Sequence, residues 1–135
     1  SVSVKEPILA SAEALAPAIR EVKRLVEREG WRVSFPVELR VAAADDTWLS
    51  TAHGRQSAYI AVHRYWREDA RPYFTAVEHI MRAHDGRPHW GKLHGRTAAD
   101  LAPEYPRFGD FLAVRDRLDP DRVFANAYTR RVLGE

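Results

Sequence analysis

An α+β fold, with helices packed on one face of an antiparallel sheet, is the class this sequence predicts. Segments that alternate apolar and polar residues with period two are interleaved with segments whose apolar residues recur at i, i+3, i+4 and i+7. The 135 residues suit one domain with a hydrophobic core, and 45% apolar with 30% charged residues is an ordinary globular composition. A layer of sheet covered by helices is the economical way to bury such faces.

From Pro17 to Glu29, Ala18, Ile19, Val22, Leu25 and Val26 form an apolar stripe opposite Glu21, Lys23, Arg24, Glu27 and Arg28. This predicts an amphipathic helix, with Pro17 tolerated in its first turn and Gly30 as its stop. In "WRVSFPVELRV" the period changes to two: Val37, Leu39 and Val41 point toward an expected core, and Glu38 and Arg40 point away. Pro36 cannot donate to a ladder, so this strand begins after it, bulges at it or lies at an edge. "AAADDTWLSTAHGRQ" reads as a loop. "SAYIAVHRYW" is a second strand, with Tyr59, Ala61, His63 and Tyr65 on one face and Ala58, Ile60, Val62 and Arg64 on the other. "RPYFTAVEHIMRAHDG" predicts a helix opened by proline, "RPHWGKLH" a short extended piece, and "YPRFGDFLAVRDRLDP" a helix ended by Pro120. The remaining residues read as a tail.

Composition excludes several classes of function. The net charge of +2 is small and the arginines are interleaved with acids, so no basic stripe points to nucleic acid. No apolar run approaches membrane-spanning length. The absence of cysteine removes disulfide scaffolds, thiolate metal sites and thiol nucleophiles, and makes the cytoplasm the expected location. "SVSVKEPILA" carries no initiator methionine, basic n-region or apolar h-region and reads as a chain joined midway, a removed methionine before Ser1 being the alternative. His79, His84, His89 and His94 recur every five residues, a step that aligns them on neither a helix nor a strand, so no metal is expected. No nucleotide-binding glycine motif and no nucleophile elbow are present.

Two places carry chemistry. Glu38 and Arg40, two apart on a strand, leave the same surface with backbones about 6.5 to 7 Å apart. Together they can hold a polyol, with the arginine stabilising a developing oxyanion, or form a solvated ion pair of little energetic consequence. In "RPHWGKLHGR", Lys92 stands among Arg87, Arg96, two histidines, Trp90 and two glycines. It is either a fixed or pKa-lowered cation at a reacting centre or a solvent-facing lysine.

"FPVELRVAAADDTWLS", "GRQSAYIAVH", "GRPHWGKLH" and "YPRFGDFLAVRDRLDPDRVFANAYTRRVLG" together resemble, in order and spacing, the C-terminal part of the flavin-dependent sugar-1,4-lactone oxidases. That family comprises L-gulono-1,4-lactone and D-arabinono-1,4-lactone oxidases and their dehydrogenase relatives, within the vanillyl-alcohol-oxidase-like flavoproteins; alditol oxidases are close kin. The resemblance implies that residues 1–118 are a portion of the substrate-binding cap of a two-domain flavoprotein. Residues 119–135 are then a tail returning to an N-terminal FAD-binding domain absent from this chain, without which the chain is expected to be inactive.

It also implies roles for residues. Glu38, Arg40 and Lys92 are catalytic; His63 and His89 bind substrate; Lys92, His94 and Asn126 contact FAD. The implied reaction oxidises a CH–OH group of a sugar lactone by hydride transfer to the flavin, with oxygen or a redox protein as electron acceptor. An alditol oxidase and a catalytically inert cap-derived binding domain are the competing expectations.

Overall fold

The computed structural model describes residues 2–5, 7–9, 11 and 13–134. In chain order the elements are β1 (Val2–Lys5), β2 (Pro7–Leu9), α1 (Leu15–Arg28), β3 (Glu38–Ala42), β4 (Ser57–Tyr65) and α2 (Arg71–Ala83). Then follow β5 (Arg87–Pro88), α3 (Ala98–Leu101) with a 3-10 turn over Ala102–Glu104, α4 (Phe108–Leu118) and α5 (Ala127–Leu133). The α+β class and the antiparallel sheet are as the sequence predicts.

β4, nine residues rich in β-branched and aromatic side chains, is the central strand. β3 pairs along one side of it, with Glu38 opposite Ala61 and Arg40 opposite Tyr59. On its other side β1 and β2 follow one another, Lys5 opposite Val62 and Ile8 opposite Tyr59, and β2 passes on to β5. The inward residues of β4, Ala58, Ile60 and Val62, meet Ala18, Val22 and Leu25 of α1 and Tyr73, Phe74, Val77 and Met81 of α2 in one buried cluster. Fully burying side chains of this size stabilises by about 1.5–3 kcal/mol each before chain entropy is counted. α1 stops where Gly30 turns to φ +64°. α2 gives way to β5 at Gly86, where a Cβ would lie 2.6 Å from the Met81 carbonyl oxygen, so only glycine allows the chain to reverse there. A second cluster, Leu101, Tyr105, Phe108 and Val132, gathers α3, α4 and α5, with Trp90 and Tyr128 packed against it.

The structure departs from the sequence reading at four places. The apolar side of β3 does not supply the core: Leu39 is 47% and Val41 62% exposed, because β3 is an edge strand and the helices cover only as far as Val37. The extended piece after α2 is a strand only at Arg87–Pro88, since the chain turns at Trp90–Gly91 and the Lys92 N–H bonds the His89 carbonyl at 3.1 Å. The N-terminal segment, unassigned from sequence, supplies β1 and β2; Ser1 and Glu6 lie outside the described residues. Within residues 119–135, α5 folds back on the chain's own second cluster, burying Val132.

Candidate functional site

The face of the sheet turned away from α1 and α2 carries Glu38, Arg40, Tyr59 and His63, because directly opposed residues of an antiparallel pair share a face. Glu38 and Arg40 are both exposed. The His63 ring is largely covered, lies near Phe35, and donates from Nδ1 to the Pro36 carbonyl at 3.3 Å. With that hydrogen assigned to Nδ1, Nε2 faces Glu38 Oε1 at 3.9 Å. The Arg40 guanidinium lies 5.9 Å from the centre of the Tyr59 ring, and the Tyr59 hydroxyl meets Thr51 Oγ1 at 2.8 Å. Thr51 belongs to the loop between β3 and β4, and this contact fixes the ring that Arg40 leans over.

Lys92 lies in the turn after β5. Gly91 donates its N–H to His89 Nδ1 at 3.0 Å, so the neutral His89 ring carries its hydrogen on Nε2 as a donor. Burial, then the charges of Lys92 and Arg40, holds His89 below the usual imidazole range. Burial is the larger cause, and the two cations from separate segments add to it. Lys92 lines a cleft of about 550 Å³ whose walls include Glu78, His94, Tyr128 and Arg131 but none of Glu38, Arg40, His63 or His89.

Behind Lys92 lies a buried polar network. Lys5 is buried on the helix side of the sheet, pairs with Glu78 of α2 and donates to the Leu93 carbonyl at 3.0 Å. Burial opposes ionisation of Glu78, but Lys5 and the Gly95 N–H hold its carboxyl below the usual range. His94 accepts from the Arg96 N–H on Nδ1 and meets the Tyr128 hydroxyl at 3.1 Å through Nε2. Burial, then Arg131, pushes its pKa down to about 4, so His94 is neutral near pH 7. Both of its ring nitrogens are engaged within the chain. Asn126 is exposed and caps α5, its Oδ1 accepting from the Tyr128 and Thr129 N–H groups at 2.9 and 3.0 Å; it connects to Lys92 only through Tyr128.

Of the residues singled out from sequence, Glu38, Arg40 and His63 share one face of the sheet, His89 feels the charges of Arg40 and Lys92, Lys92 and His94 line one cleft, and Asn126 caps α5. Tyr59 and Tyr128 were not singled out from sequence. Tyr59 had a signal, its place two before Ala61 on the His63 face; Tyr128 closes the "FANAY" run. Asp45 and Ser50 staple the loop between β3 and β4: Ser50 Oγ donates to Asp45 Oδ2 at 2.5 Å while His53 Nδ1 donates to the Thr47 carbonyl.

FAD is the cofactor that the family resemblance implies. Arg40, Lys92 and the Nε2–H of His89 offer positive potential beside an exposed carboxylate, which fits the redox end of such a cofactor and a hydroxylated substrate. The positive-φ glycines Gly30, Gly54 and Gly134 lie in turns that open no helix, so among the described residues none forms a cradle for the nucleotide phosphates.

Over 117 residues the chain is 56% identical to the L-gulono-1,4-lactone dehydrogenase of Mycobacterium tuberculosis, covering 87% of this chain and 27% of that one. It is 38% identical over 126 residues to the L-gulonolactone oxidase of Bos taurus, covering 90% and 29%. It is 39% identical over 99 residues to the alditol oxidase of a Streptomyces species, covering 71% and 23%. The chain spans about a quarter of the length of these curated relatives. The profile of the D-arabinono-1,4-lactone oxidase family matches residues 10–132, most of the chain, and the chain belongs to that family.

Proposed function

We propose that this chain is the substrate-contacting C-terminal part of an FAD-dependent enzyme that oxidises a CH–OH group of a sugar-1,4-lactone. The observation that carries the reading is the placement of Glu38 and Arg40 side by side on the exposed face of β3, with the charges of Lys92 and Arg40, from segments about fifty residues apart, both acting on the His89 ring. Bound FAD supplies the hydride acceptor. Lys92 is the residue of this chain that would stand nearest its ring, with His94 and Asn126 acting from behind.

The chain's own groups do the following. Glu38 accepts hydrogen bonds from a ring hydroxyl and fixes the sugar's orientation. As the carbinol C–H bond breaks and the hydroxyl loses its proton, negative charge grows on that oxygen, and Arg40 and Lys92 stabilise it more than they stabilise the bound ground state. The neutral His89 donates from Nε2 to a substrate oxygen. His63, tethered to Pro36, limits the swing of the Glu38 carboxylate.

Residues 119–135 present Val123 and Phe124, 75% and 82% exposed, for contact with the FAD-binding domain. Asp119 holds that turn through the Val123 and Phe124 N–H groups at 2.7 and 3.1 Å.

Arg40→Ala and Lys92→Ala in the full-length enzyme are each expected to lower turnover with a sugar lactone by about 10² to 10³, the usual loss for one oxyanion donor. Normal turnover in both variants refutes the assignment. An open-chain alditol is the second candidate substrate, favoured by the alditol oxidase relative. Flavin reduction by lactone and by alditol, measured side by side, decides between them.

A further inference from the structure

We propose that Tyr128 is a positioning residue for Lys92: its hydroxyl clamps the two segments that flank the lysine and ties the site to α5. The inference rests on the reading of Lys92 as a cation of the substrate site.

Lys92 sits between Trp90 and His94, and Tyr128 touches both. The Tyr128 hydroxyl donates to the Trp90 carbonyl. Its single hydrogen is thereby used, so in the 3.1 Å contact with His94 the hydroxyl oxygen accepts and Nε2–H donates. The tautomer agrees with the other side of the ring, where Nδ1 accepts from the Arg96 N–H and so carries no hydrogen. His94 must be neutral to serve both bonds, and its buried position keeps it so.

The remaining anchors surround the lysine without touching its freedom directly. Trp90 Nε1 donates to the Leu49 carbonyl at 2.9 Å and its ring packs on Tyr105. Arg131, also on α5, donates to the His94 carbonyl at 2.9 Å. The backbone of Lys92 is held at the far end of a tight turn by the His89 carbonyl. A five-residue span with Lys92 at its centre is thus fixed at both ends by one phenol. A long side chain aimed at a developing charge loses much of its effect when its backbone shifts by about 1 Å.

Three measurements on the full-length holoenzyme test this. In Tyr128→Phe, kcat is expected to fall about tenfold with KM within about twofold. In Tyr128→Phe/Lys92→Ala, kcat is expected to match Lys92→Ala alone, because the tyrosine acts through the lysine. Val132→Ala, which loosens α5 without touching either hydrogen bond, is expected to lower Tm and leave kcat in place.

The third readout needs no turnover. The His89 ring, titrated by NMR, is expected to move toward the ordinary imidazole value in Lys92→Ala and in Tyr128→Phe, with no further shift in the double variant. Parental kcat in Tyr128→Phe beside an impaired Lys92→Ala overturns the clamp. So do losses that multiply in the double variant, or a His89 titration that responds to Lys92→Ala and ignores Tyr128→Phe. Parental turnover in Lys92→Ala overturns the site reading and the clamp's catalytic meaning together, and the NMR shift then tells that case apart from a clamp that never held.

Discussion

His94 shows how much of a residue's role is decided by what surrounds it. Free in an unfolded chain it takes up a proton near pH 6.5; in the fold it does so only near pH 4. Between those values the unfolded state binds more protons than the native one, so stability is complete above about pH 6.5 and declines as pH falls toward 4. His94→Gln, which keeps a donor toward Tyr128 and does not titrate, is expected to flatten the Tm-against-pH curve of the enzyme across that interval. A curve that overlays the parent's removes His94 as the cause. The sequence displayed the histidine and its motif but not this behaviour, since a tautomer depends on partners 34 residues away. Glu38 and Arg40 were more legible. Spacing of two on a strand puts side chains on one face whatever the fold, and β3 satisfies that condition.

Among the elements, those with local signals were readable. α1, α2 and α4 announce themselves by helical period and by Pro or Gly at their ends, and each forms within about three residues of its expected bounds. β1 and β2 were not readable, because they are short and owe their form to pairing with β4 some 49 to 63 residues away. α5 was missed for a related reason. Seven residues are too few to show a period, and what holds the helix is burial of Val132 and the Asn126 cap. Asn126→Ala is expected to cost about 1 kcal/mol, read as a lower denaturant midpoint with unchanged slope. An unchanged midpoint would leave the cap without consequence. At the core, Ile60→Ala on β4 is expected to cost about 2–5 kcal/mol through loss of buried contacts and the cavity left behind.

At the scale of the whole molecule, burial is uneven. The main cluster is as dry as a domain interior, yet Leu39, Val41, Leu118, Val123 and Phe124 stand between 47% and 82% exposed. Scattered apolar residues on a surface are ordinary; two neighbours on an edge strand and three around one turn invite cover. The relatives are some four times as long as this chain, and the further length they carry is where such cover would come from. Leu39→Lys with Val41→Lys is therefore expected to raise the soluble yield of this chain expressed alone and to lower the Tm of the full-length enzyme. Improvement in both settings would show that nothing rests on that face. Periodicity could not foresee this exposure, since alternation tells which residues share a face and not what lies against it.

β3 brings these scales together. Successive side chains of a strand alternate sides, so the two residues we propose to read the sugar are interleaved with two exposed apolar ones, all on one backbone. Repacking behind Leu39 moves the ribbon that carries Glu38 and Arg40. Substrate preference in this family can thus drift through changes in residues that never meet the substrate, and an engineer seeking a new polyol has a dial on the reverse of the strand.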